Sequence, residues 1–171
     1  AGVAEAIGLT VAGLPVLGLV ALVVAALAVL LLTDGERKFF SALGVFYVGL
    51  PCVALLWFRA DGSWGLAAVL FMLVVAWTTD TAAFLAGRAI GGPKLWPQVS
   101  PNKTWSGFLT GIGTAAVATG VFGWFAGSAP LRLALIGLVL AVVAQGGDLL
   151  ESALKRHFGV KDASALIPGH G

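Results

Sequence analysis

The chain has 171 residues, 59% of them hydrophobic and only 11% charged, with a net charge of +2. A soluble domain carries about 25% charged residues, so an ordinary water-soluble fold is excluded, and the expected class is all-α: a polytopic bundle of transmembrane helices forming a single domain over 1–171. The one cysteine, Cys52, lies in an apolar run and excludes an intrachain disulfide framework, and no nucleic-acid partner is expected.

Five apolar stretches are long enough to cross a hydrocarbon core of about 30 Å. The first is Leu9–Leu32, with Pro15 tolerable in its opening turns. It lacks the basic leader and short apolar segment of a signal peptide. The polar loop Thr33–Lys38 follows, with a turn signal at Asp34-Gly35. Phe39–Phe58 is the second span, where Pro51 is expected to introduce a kink. Trp64–Ala86 is the third, with Trp64 and Trp77 as interface anchors and Asp80 near its far end. A Gly- and Pro-rich segment, 87–105, is the longest non-apolar stretch. Gly107–Ala126 is the fourth span, whose Gly107, Gly111 and Thr114 are spaced for close helix contact. Leu131–Leu150 is the fifth. The chain starts without Met and stops abruptly at Gly171, as expected of a fragment.

The charges are unevenly distributed. Alternating loops put Arg37, Lys38, Arg88, Lys94, Lys103, Lys155, Arg156 and Lys161 on one side of the membrane, and Arg59 and Arg132 on the other. Cytoplasmic loops carry the excess of Lys and Arg, so the first side reads as cytoplasmic. The same count gathers Asp80, the 87–105 segment and the region after Asp148 at that face.

Three polar pieces fall there. Asp148, Glu151, Ser152 and Lys155 are spaced i, i+3, i+4 and i+7, so a helix presents them on one face. The carboxylates could hold Mg²⁺, which takes one or two carboxylates and completes its shell with water and phosphate oxygens. Lys155, Arg156 and Lys161 would neutralise phosphate charge. By spacing alone the group reads equally well as a helix end laced with ion pairs. Asp80 and Arg88, two turns apart, form either a second part of the same site or a paired helix terminus. Ser100-Pro101 reads as an N-cap and first helical residue, which would put Lys103 and Thr104 in the first turn of a helix, a ready anion site. The alternative is an ordinary helix start. His157 reads as an interfacial residue, whereas His170 sits between two glycines and is a more open case. There is no Walker A loop, GxSxG or HExxH.

The run Ser152-x-Leu154-Lys155-Arg156-x₄-Lys161-Asp162-x-Ser164-x₂-Ile167-Pro168-Gly169-His170-Gly171 resembles the signature of the phosphatidate cytidylyltransferase (CDP-diacylglycerol synthase) family, as does Gly147-Asp148-Leu149-x-Glu151-Ser152 before it. DTAAFLAGR at Asp80–Arg88 and SPNKTWSG at Ser100–Gly107 resemble the family's preceding motifs, so the matching blocks cover 77–107 and 145–171. The resemblance implies a Mg²⁺-dependent reaction of CTP with phosphatidic acid, giving CDP-diacylglycerol and pyrophosphate, at the cytoplasmic face of a bacterial inner membrane. It implies metal ligation by Asp148 first, then Asp80 and Asp162, with Asp148, Lys155, Arg156 and Asp162 as catalytic residues. Arg88, Lys103, Thr104, Ser152, Lys161 and His170 would bind substrate. A homodimer is compatible with this reading. Ser106 stands where the family usually carries Glu or Gln, and it receives no role. The family signature runs on past Gly171 with further aspartates, and a last helix is expected there, so the chain by itself is expected to hold most of a site and to be inactive. A different CTP-using enzyme, a polyprenol or lipid kinase, would release CDP rather than pyrophosphate.

Overall fold

The computed structural model describes residues 1–35 and 38–160. The chain divides into two compact units, Ala1–Leu70 and Phe71–Gly171.

The first unit holds α1 (Gly2–Val11), α2 (Pro15–Leu32) and α3 (Lys38–Ala60). The expected first span is therefore two helices, and its membrane-length part begins at Pro15 rather than Leu9. Pro15 cannot donate to a preceding turn, and Gly13, at φ +82°, turns the chain between the two helices. Pro15 is instead an N-terminal residue of α2, where its missing N–H costs nothing. Ala6, Leu22 and Val53 form the unit's core, packed by Leu19, Val45 and Phe46. Gly49 is bare because Leu22 occupies the space a Cβ would need. Pro51 lies inside α3, which runs uninterrupted to Ala60.

α4 (Gly65–Ala89) crosses the boundary between the units and carries Phe71 and Val75 into the second. There, β1 (Lys94–Trp96) and β2 (Ser100–Thr104) precede α5 (Trp105–Phe125) and α6 (Pro130–His157). Five helices, α2 to α6, are long and apolar enough to cross a membrane. Their large apolar residues are widely exposed, as at Leu32, Val117 and Phe125. This is the surface of an integral membrane protein, whose outer faces meet lipid rather than water.

α5 and α6 pack through small residues. α5 buries Gly107, Gly111, Ala115, Thr119 and Gly123, and α6 buries Gly137, Ala141 and Gln145. The stripe runs every fourth residue, so Thr114, read from the sequence as a contact residue, is exposed, and Ala115 takes its place. Thr119 fills the space over Gly137, and Phe71, Val75, Ala115 and Ala141 form the core beside it. Between helices in lipid, close backbone approach of this kind is a main source of cohesion.

The all-helical expectation is modified by one element. Residues 94–104 form an antiparallel β-hairpin, with Lys94 opposite Thr104 and Trp96 opposite Ser100. Ser100-Pro101 therefore does not start a helix: α5 begins at Trp105, with Thr104 as its N-cap. The ladder shifts register between its two pairs, a bulge within which Pro101, which has no N–H to donate, is tolerated. Gly91 (φ +67°) and Gly92 (φ +99°) supply the left-handed backbone that turns the chain out of α4.

Candidate active site

The hairpin, the last turns of α4 and the C-terminal half of α6 enclose a cavity of about 640 Å³. Each contributes side chains of a distinct kind. α4 supplies Asp80 and Arg88, the hairpin supplies Lys94, Asn102 and Lys103, and α6 supplies Gln145 and Asp148. Gly87 and Gly107 form part of the wall. A Cβ on Gly107 would lie 2.6 Å from the Ala83 carbonyl oxygen, so only glycine lets α5 come this close to α4.

Lys103 and Asp148 form an ion pair across the cavity, from β2 to α6. The Lys103 ammonium is sealed from solvent. Its contact with Asp148 takes one of its three N–H donors, and the other two meet no hydrogen-bond partner among the described residues. A buried cation with unspent donors is costly unless an anion completes its shell. Asp148 itself is half exposed.

Gln145 lies one turn before Asp148 and is 6% exposed. Its Nε2 donates to the Phe108 carbonyl oxygen at 3.1 Å, which straps α6 to α5 under the cavity. Gly111 is bare at the same place, because a Cβ there would lie 2.9 Å from Gln145 Nε2 and 2.9 Å from the Thr79 carbonyl oxygen. The three helices thus meet at Thr79, Gly111 and Gln145, one turn below the charged residues.

Of the remaining expected site residues that the structure describes, only Thr104 lines the cavity. Glu151 is ion-paired to Lys155 at 2.9 Å, one turn along α6, as the spacing allows. Ser152 and Lys155 are half-buried and Arg156 is exposed on the same helix. Lys161, Asp162 and His170 lie outside the described residues. Thr104 lines the cavity, but its hydroxyl accepts from the Gly107 N–H at 3.2 Å and contacts Ser106 Oγ at 3.0 Å. Lys103 and Thr104 precede α5 rather than forming its first turn, so the expected anion site on that helix turn is replaced by a lysine presented from a strand.

Lys94, Asn102, Gln145 and Ser106 carry no role in the sequence reading. An isolated glutamine in an apolar run was a usable signal, since a buried amide must find a partner. Asn102 and Ser106 lie inside the SPNKTWSG block and Lys94 just before it, but local spacing gives none of the three a role.

Among the described residues no three His, Cys, Asp or Glu side chains cluster as a complete metal cage. Asp80 and Asp148, which both line the cavity, are of the kind that Mg²⁺ takes, one or two carboxylates with the shell finished by water and phosphate oxygens.

Known proteins match most of the chain. The cytidylyltransferase family model matches residues 3–171. The phosphatidate cytidylyltransferase of Brucella suis biovar 1 (strain 1330) is 44% identical over 147 residues, covering 84% of this chain and 54% of the relative. That of Bacillus subtilis (strain 168) is 42% identical over 135 residues, covering 77% and 50%, and that of Staphylococcus haemolyticus (strain JCSC1435) is 41% identical over 134 residues, covering 77% and 50%. The chain spans about half the length of these curated relatives. No solved structure matches it significantly. With a family model aligned to almost every residue and the motif residues of two sequence blocks lining one cavity, the chain belongs to the cytidylyltransferase family.

Proposed function

We propose that the protein carrying this chain transfers CMP from CTP to phosphatidic acid, releasing pyrophosphate, with Mg²⁺ as cofactor. The observation that carries this reading is the Lys103 ammonium: buried, paired with Asp148, with donors unspent, on a cavity that also holds Asp80, Arg88 and Lys94. Cations interleaved with two carboxylates suit a triphosphate and its metal better than either alone. The names of the relatives support the choice of nucleotide and lipid.

In this reading a phosphatidate oxygen attacks the α-phosphorus of CTP. A new P–O bond forms, the bond from that phosphorus to the β-phosphate oxygen breaks, and its electron pair leaves on pyrophosphate. Catalysis of such a transfer is mainly positioning and charge neutralisation. Lys103, Arg88 and Lys94 hold phosphate oxygens, and Lys103 offers them donors without first giving up water. Asp80 and Asp148 hold the metal. Bound Mg²⁺ would draw charge from the triphosphate oxygens. Asp148 also holds the Lys103 ammonium in place. Gln145 keeps α6, and with it Asp148, at a set distance from α5. Lys155, Arg156, Lys161 and His170 remain proposed phosphate contacts, Thr104 and Ser152 proposed substrate contacts, and Asp162 a proposed metal ligand.

The eight-to-two distribution of Lys and Arg between the loops supports a site facing the cytoplasm, and the bacterial relatives support an inner-membrane location. The test is incorporation of radiolabelled CTP into lipid by the full-length protein with phosphatidate and Mg²⁺. Labelled lipid with release of pyrophosphate is expected. Release of CDP with a phosphorylated lipid would move the protein to the lipid-kinase class, and no product would count against both.

A further inference from the structure

Behind the cavity, two hydroxyls form a chain of hydrogen bonds with a single allowed direction. Ser106 Oγ donates to the Gly91 carbonyl oxygen at 2.5 Å. A serine hydroxyl has one proton, so the 3.0 Å contact between Thr104 Oγ1 and Ser106 Oγ must be donated by Thr104. Thr104 Oγ1 in turn accepts from the Gly107 N–H at 3.2 Å. An amide N–H can only donate and a carbonyl only accept, so the order runs from Gly107 through Thr104 and Ser106 to Gly91. Beside it, the Trp105 N–H donates to the Pro93 carbonyl oxygen at 3.0 Å. Together these bonds clamp the chain that enters the hairpin to the first turn of α5.

Thr104 is the anchored end of this clamp. It is 4% exposed and sits in a socket made by two glycines. A Cβ on Gly87 would lie 3.1 Å from its Oγ1, and a Cβ on Gly107 3.3 Å. The next residue back along β2 is Lys103, whose ammonium reaches the cavity and Asp148. Ser106 itself is not among the side chains lining the cavity.

We infer that Ser106 is a positioning residue: by bridging Thr104 to Gly91 it fixes the base of the 94–104 hairpin and so sets where Lys103 stands over the cavity. Its kinetic consequence rests on the phosphate-binding role proposed for Lys103; its structural consequence does not. A serine that merely stabilised the start of α5 would leave the hairpin's mobility and the nucleotide affinity unchanged when replaced.

The experiment compares the full-length wild-type protein with Ser106→Ala and Ser106→Thr in lipid nanodiscs. Hydrogen–deuterium exchange is followed over residues 91–107 and over α6, alongside KM for CTP and kcat. Ser106→Ala is expected to speed exchange in the hairpin about tenfold, the effect of one lost hydrogen bond, with α6 unchanged. It should raise KM for CTP about tenfold and lower kcat less. Ser106→Thr keeps the hydroxyl and should restore both. Ser106→Cys, with its weak donor, should fall between them and serves if the alanine variant does not accumulate. Wild-type exchange in Ser106→Ala overturns the inference, as does faster exchange with unchanged KM in an active enzyme. If the wild type makes no lipid product, the functional reading fails, and the exchange rates alone still decide whether the clamp exists.

Discussion

Lys103 on β2 and Asp148 on α6 are joined as an ion pair at the wall of a cavity that Asp80 also lines. The pair connects the two motif blocks of the sequence, and under the proposed function each residue has two duties: one toward its partner and one toward the bound nucleotide or metal.

Those duties separate by mutation. Asp148→Asn is expected to lower turnover at least about 100-fold, and Lys103→Met by a similar factor, since each removes preorganised charge at the reacting phosphates. Asp148→Asn also strands the buried Lys103 ammonium, which destabilises, whereas Lys103→Met leaves the half-exposed Asp148 to water at little cost. The double variant should recover thermal stability while staying inactive, a non-additive result for residues in direct contact. Initial rates and unfolding midpoints of all four proteins check it. Near-normal turnover in Asp148→Asn would remove that residue from the site.

Asp80 lines the same cavity and forms no ion pair among the described residues, so its proposed duty is toward the metal. Asp80→Asn should raise the Mg²⁺ concentration needed for half-maximal rate at least about tenfold, because affinity follows the charge of the ligand set. Partial rescue is expected at high Mg²⁺. An unchanged Mg²⁺ titration with reduced rate would assign Asp80 to another task.

The glycines of α5 make contrasting predictions about stability. Gly107→Ala brings a Cβ to 2.6 Å from the Ala83 backbone oxygen, which cannot move aside without shifting α4. A loss of about 1–3 kcal/mol is expected from such overpacking. Gly113→Ala meets nothing within 4 Å and should stay within about 0.5 kcal/mol of wild type. Unfolding midpoints in detergent distinguish the two. Equal midpoints would mean that the close approach of α5 to α4 is not held by Gly107.

One loop makes a pH prediction. The Asp61 carboxylate is held below its ordinary value of 3.8, first by the Trp64 backbone N–H, then by the Ser63 hydroxyl and the Ser63 N–H. Trp64 N and Ser63 Oγ lie 2.7 and 2.8 Å from Oδ1. A carboxylate with a depressed folded pKa favours the native turn above its unfolded pKa, and that contribution is lost as the pH falls through the folded value. The turn before α4 should therefore be insensitive to pH above about 5 and loosen progressively as the pH falls below that and through the depressed folded value. A carbon-13 titration of the Asp61 carboxyl, with a midpoint at or above 3.8, would contradict the hydrogen-bonded turn.

The elements legible in the sequence were those with a local cause. The second, third and fourth spans ended within a few residues of the expected places, because a run of apolar residues of membrane length has few alternatives to a helix, whereas the helix of the fifth runs on seven residues past Leu150 to His157. The Asp148-to-Lys155 face was legible because helical spacing alone aligns it, and the Glu151–Lys155 pair is a direct product of that spacing. The first span was misjudged at its start, since hydropathy is blind to the turn that Gly13 and Pro15 impose together.

The hairpin was illegible for a different reason. Ser100-Pro101 is a sound local helix start, yet pairing with Lys94–Trp96 and the Thr104 cap outweigh it, and both depend on partners the local pattern cannot name. The composition and the alternation of spans by themselves determined that this is a membrane protein with its charges gathered toward one side, because burying apolar surface and excluding charge are properties of single segments. Tertiary structure decided which charges meet. Asp80, Lys103 and Asp148 share a cavity only because bare glycines on α5 let three helices close together, while Glu151 and Lys155 turn to each other instead.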